Sequence, residues 1–222
     1  MKLQRLGGYA SIILLCVIVV AVVIAANTYP RLGLSLLNEM ADPAKLMAAL
    51  EASPSTFRML QPVGILMALF FVIVTLSLQE RMGEKAPNTM RFAVIAASIA
   101  SALQLAGSLI EIPALISISG ARDVSAFRAI IGITEGLAEG MINAWGWALL
   151  LIGCAAVRTR GLPQILAYIL LVCGIAQVLR FAIPQLEITI VLVPVFLIWL
   201  GIALLRKQQP KPAAKEMAAA KG

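Results

Sequence analysis

Apolar residues in this chain come in six continuous runs separated by short polar stretches. The runs cover residues 9–28, 60–79, 92–118, 141–157, 164–183 and 188–205. They do not alternate apolar and polar positions, so they do not read as strands of a membrane barrel. A hydrocarbon layer about 30 Å thick needs roughly 20 apolar residues at a helical rise of about 1.5 Å each. In such a layer backbone N–H and C=O groups find no water and must pair within their own segment. The pattern therefore predicts an all-α, polytopic transmembrane bundle of six helices, the fourth and sixth on the short side.

Between the first two runs lies the longest polar stretch, residues 29–59. Within it Asp42 can cap a helix opening at Pro43, with Leu46, Met47 and Leu50 on one face and Ser53-Pro54-Ser55 at its end. This predicts a short interfacial helix in the first outer loop, lying on the membrane surface. The chain otherwise divides into a transmembrane domain, residues 1–206, and a basic, alanine- and proline-rich cytoplasmic tail, residues 207–222, whose composition predicts disorder. The first run resembles a signal sequence, with Lys2 and Arg5 before it and Ala25-Ala26 near its end. Its apolar stretch from Ser11 to Ala26 is long and five more runs follow, which predicts an uncleaved anchor.

Composition agrees with the pattern. Hydrophobic residues make up 61% and charged residues 13%, against roughly 45–50% and about 25% in soluble domains. The charge is distributed by side. Twelve lysines and arginines (2, 5, 81, 85, 91, 158, 160, 206, 207, 211, 215 and 221) fall on the side of the termini. Six (31, 45, 58, 122, 128 and 180) fall on the other. Cytoplasmic loops carry such an excess, so both termini are expected inside. The net charge of +7 then belongs to a face that meets anionic headgroups, and gives no argument for nucleic acid. The expected location is the cytoplasmic (inner) membrane of a bacterium.

Candidate chemistry is sparse. The chain has no histidine, which removes imidazole bases and histidine-bound haem, zinc or iron. Cys16, Cys154 and Cys173 lie in three separate runs and read as small apolar fillers. No catalytic constellation, metal site or cofactor is expected, and the chain reads as a non-enzyme.

Polar residues inside the runs form one suggestive pattern. Ser101, Gln104, Ser108 and Glu111 recur at three- and four-residue steps and share a helix face. Glu111 lies about 28 Å along its helix, and Arg180, three residues after Gln177, about 24 Å along its own. With Asn143 at the start of the fourth run and Glu187 at the start of the sixth, these residues make an outer-side polar cluster geometrically feasible, built around a Glu111–Arg180 pair. The same residues also suit a structural reading, as polar groups that join helices or snorkel to headgroups. A second pattern, Gly132, Gly136 and Gly140 at i, i+4, i+8, suggests close helix packing and a fourth helix beginning near Val124, outside the membrane. Glu135 and Glu139 beside it read as a solvated acidic face, with a hard cation as the sharper alternative.

Short segments carry a resemblance. Arg5-Leu6-Gly7-Gly8-Tyr9, Ser55-Thr56-Phe57-Arg58 and Arg160-Gly161-Leu162-Pro163-Gln164-Ile165-Leu166, with Gly174 beyond, resemble a large bacterial family of multi-pass membrane proteins described as a domain of unknown function. Ala167 stands where that family often has glycine, and the fourth helix lacks a histidine many members carry. The resemblance implies a six-helix bundle and no activity. Together these readings favour a non-enzymatic membrane interaction or accessory subunit that binds membrane lipids, partner subunits or a second copy of itself. A small-molecule or ion transporter using the polar cluster is the alternative, with an intramembrane enzyme third.

Overall fold

The computed structural model describes residues 2–32, 43–180, 182–183 and 189–206. Among these the chain is all-α. It forms α1 (Lys2–Thr28), a 3-10 turn (Pro30–Leu32), α2 (Pro43–Ala52), α3 (Pro54–Met82), α4 (Pro87–Ala121), α5 (Val124–Thr159), α6 (Gln164–Leu179) and α7 (Thr189–Leu205). The first four apolar runs lie within helices, and α6 and α7 cover most of the fifth and sixth. Four helices, α1, α3, α4 and α5, are long and apolar enough to cross a membrane; α6 and the described part of α7 are shorter apolar helices. The chain is a multi-pass helical membrane protein. Glu187, Asp42 and the basic tail from Lys207 lie outside the described residues.

Helix boundaries follow local chemistry. α5 begins at Val124, as the sequence suggests, because Asp123 caps it: its carboxylate accepts from the amides of Ser125 and Ala126 at 3.0 Å each. α3 and α4 both open on proline, whose missing N–H costs nothing in a first turn. α4 and α5 end on arginines in the left-handed region, Arg122 (φ 55°) and Arg160 (φ 52°), a conformation that glycine adopts with less strain.

The long helices form a ring. Neighbours run α1–α3–α4–α5–α6–α7, and α7 closes on α1 and α6. Serine hydroxyls join part of it. Ser11 donates to the Leu197 carbonyl at 3.0 Å, Ser77 to the Leu3 carbonyl at 2.9 Å, and Ser101 to the Ala68 carbonyl at 3.0 Å. These bonds link α1 to α7, α3 to α1 and α4 to α3. Arg81 donates from Nη1 to the Ala203 carbonyl at 2.6 Å, serving one of the acceptors left open in the last turn of α7.

The core runs through the middle, from Ala10 and Leu14 through Leu78, Ile152 and Leu170 to Leu200. α6 shows why such helices suit lipid. Leu166, Leu170 and Cys173 are buried, while Ile165, Tyr168, Val172, Ile175 and Leu179 form an exposed stripe on the opposite side. A helix apolar all round has no face for water.

Two expectations change. α2 exists, and its apolar face is not turned to a membrane surface: Leu46, Met47, Ala49 and Leu50 are buried against Phe57, Leu115, Phe127 and Ile131 of the bundle. The helix covers one end of α3, α4 and α5. The glycine stripe on α5 does not pack as the spacing suggested. A β-carbon at Gly132 or Gly136 would meet nothing within 4 Å, and one at Gly140 would only touch Leu103, at 3.3 Å. Close contact is made instead at Gly146, Gly153 and Gly174, where α5 and α6 cross nearly backbone to backbone. A β-carbon on Gly153 would lie 2.6 Å from the Leu171 amide nitrogen and 2.8 Å from its Cα.

Two substitutions separate these glycines. Gly153→Leu should destabilise the solubilised protein by at least about 1–3 kcal/mol, since the neighbouring backbone cannot give way. Gly136→Leu should leave it unchanged or slightly more stable, because glycine within a helix costs about 1 kcal/mol against better formers. Thermal unfolding in detergent checks both; equal losses would contradict this packing.

Candidate functional site

The polar residues singled out in the sequence occupy different parts of the bundle. Gln104 and Ser108 sit on the α3–α4 seam, where Gln104 Nε2 donates to Ser108 Oγ at 3.2 Å. Gly64 of α3 makes the room: a β-carbon there would overlap Ser108 and come within 2.9 Å of Gln104 Nε2. The Gln104–Ser108 bond stays within α4, and it is Ser101 that bonds across the seam, to the Ala68 carbonyl. Glu111 borders a crevice of about 40 Å³ beneath α2, with Tyr29, Leu46, Leu50 and Phe57 around it. Asn143 is half-buried on α5.

Arg180, just past the end of α6, reaches a partner other than the expected one. Its Nη2 lies 3.5 Å from Glu139 Oε1 on α5. The α5–α6 crossing explains this choice. Close approach at Gly146 and Gly174 sets the end of α6 beside the turn of α5 that carries Glu139, so the acid read as part of a solvated face supplies the counter-charge. A second ion pair, Arg122 Nε with Glu51 Oε1 at 3.6 Å, ties the end of α4 to α2. No group of three or more metal-ligating side chains occurs among the described residues.

Gln177 points to a separate place. It is 8% exposed and lies against Gly146, where a β-carbon would approach its own Cβ to 2.9 Å. It lines a central cavity between α1, α3, α5, α6 and α7, bordered also by Leu14, Phe71, Trp145, Leu170 and Phe196. The cavity measures about 30 Å³, room for about one or two water molecules. Trp145 packs on Phe71 with ring centroids 4.6 Å apart. Among the described residues its buried Nε1 and the buried Oε1 of Gln177 have no hydrogen-bond partner. Thr75 also lines the cavity, but its hydroxyl donates to the Phe71 carbonyl at 2.9 Å within its own helix.

The Trp145 indole packs inside the bundle, while Trp147, 47% exposed, looks outward. The available signal was Gly146 between them. A glycine flanked by two tryptophans marks a place where another helix can press against one ring and leave the other outside.

The Arg180–Glu139 pair is exposed on the acid's side, its side chains being 17% and 52% accessible. A double-mutant cycle of Arg180→Gln and Glu139→Gln should give a coupling under about 1 kcal/mol, as for other partly exposed pairs. The cycle with Glu111→Gln should be additive within about 0.5 kcal/mol; strong coupling there would restore the pairing expected from depth alone. No family model, curated protein or solved structure matches the chain.

Proposed function

We propose that the protein is a six-span, non-enzymatic subunit of the bacterial cytoplasmic membrane, with both termini inside, that binds membrane lipid and partner helices. The observation that carries this is the character of the bundle interior. The central cavity is lined almost wholly by apolar side chains and includes neither Glu111 nor Arg180. A path for ions or polar solutes needs polar groups along its length, and the polar side chains here hydrogen-bond within their own helices or across single seams. Outside, the apolar stripes of α6 and α7, with Val195, Ile198 and Ile202 on the latter, offer surface for acyl chains or neighbouring helices. Six crossings follow if α6 and α7, 16 and 17 residues long, traverse at about 24–26 Å each. Modest local thinning of the bilayer accommodates such lengths. The family resemblance points the same way.

Two measurements test this reading. Affinity capture from native membranes should recover the protein within a larger assembly, and a lone monodisperse species would overturn the accessory role. Single cysteines at Lys45 and Lys211 test the threading. An impermeant thiol reagent applied to intact cells should modify position 45 and spare position 211; the reverse pattern contradicts the orientation.

A further inference from the structure

We infer that the turn between α3 and α4 is a headgroup site for phosphatidylethanolamine, with Glu84 taking the ammonium and Arg91 the phosphate. A groove of about 300 Å³ opens at this turn. Gln79, Glu80, Gly83 and Glu84 line it from the end of α3 and the residues just after, and Pro87 and Arg91 from the start of α4. Its size reaches the roughly 300–1,000 Å³ of ligand pockets. Glu84 and Arg91 both border it, yet among the described residues neither enters an ion pair. Opposite charges thus border one groove without closing on each other.

The helix ends set the polarity. The last carbonyls of α3 carry partial negative charge and the first amides of α4 partial positive charge. Glu80 and Glu84 therefore stand at the negative end of a helix, where a cation is favoured and an acid is not. Arg81, in the same turn, donates to the Ala203 carbonyl of α7 and does not line the groove. Across the turn, no side chain caps the start of α4, so its first amides, close to Arg91, are open to an anion. The groove has an ammonium end and a phosphate end. A zwitterion carrying both charges on neighbouring groups satisfies it, whereas a lone cation or anion satisfies half.

An apolar stripe identifies the zwitterion as a lipid. Phe92, Ile95 and Ile99 of α4 are exposed and, at three- and four-residue steps, share a face that continues from Arg91. An acyl chain attached to the phosphate lies along this stripe; a soluble phosphoethanolamine compound has no use for it. On the threading proposed above, the groove sits at the level of the cytoplasmic headgroups.

This inference rests on the reading that the protein binds membrane lipid, and names the lipid and its place. It does not depend on partner helices, so the test uses the isolated full-length protein in detergent micelles. The probe is a phosphatidylethanolamine with a diazirine in one acyl chain. After irradiation the label should concentrate on Phe92, Ile95 or Ile99. Excess unlabelled phosphatidylethanolamine should reduce it about fivefold more than phosphatidylglycerol does, the preference that one exposed ion pair supplies. Glycerophosphoethanolamine, the headgroup without chains, should compete poorly. Glu84→Gln should abolish the preference, so that both lipids compete equally. Arg91→Gln should weaken labelling by the probe about threefold. Both side chains are exposed, so the fold should tolerate either change. Label spread evenly over outward positions such as Val172 and Ile198, equal competition by the two lipids, or a preference unchanged in Glu84→Gln would overturn the proposal. Competition by glycerophosphoethanolamine as strong as by the lipid would overturn it in favour of a soluble ligand. Affinity capture decides the accessory role separately, so the two readings can fail independently.

Discussion

Close approach of helix backbones at small residues is the constraint on which this bundle depends. In lipid, apolar side chains gain little by leaving one apolar surroundings for another, so association relies on packing and interhelical hydrogen bonds. The chain supplies both at the same points. Gly146, Gly153 and Gly174 bring α5 and α6 together, and Ser11, Ser77 and Ser101 bond across the other seams. Gly7 lies against Ser77, and its missing β-carbon leaves room for the bond from Ser77 to Leu3; Gly64 likewise makes room for Ser108 on the α3–α4 seam.

This arrangement determines where polar groups end up. Gln104 and Ser108 are drawn into the α3–α4 seam, Arg180 is delivered to Glu139, and Glu111 is left beneath the α2 cover. What remains for the interior is Gln177, held beside Trp145 because Gly146 admits α6 so closely. The buried polar atoms of Gln177 and Trp145 thus lie beside the close α5–α6 crossing.

α2 adds a second, different kind of contact. It joins the bundle through buried apolar side chains, with Tyr29 stacked on Phe57 at 6.1 Å between centroids, and through the Arg122–Glu51 pair at its edge. That end of the protein resembles the core of a soluble domain more than a lipid-embedded seam. Its apolar face is satisfied within the chain and needs no membrane surface.

Much of the fold was legible in the sequence. Helices cover all or most of each apolar run, α5 began at Val124 behind its Asp123 cap, and α2 opened on Pro43. These outcomes depend on local chemistry: continuous apolarity, capping carboxylates and proline at first turns act within a few residues. The partners were not legible. Gly132, Gly136 and Gly140 have the same spacing whether they face a helix or open space, and only the tertiary structure placed the close contact at Gly146, Gly153 and Gly174. Depth along a helix suggested Glu111 for Arg180, yet depth says nothing about rotation around the axis, and the α5–α6 crossing chose Glu139. In a helix apolar on every side, periodicity carries little information about which face is buried, so the sequence determined the elements and helix packing decided the pairings.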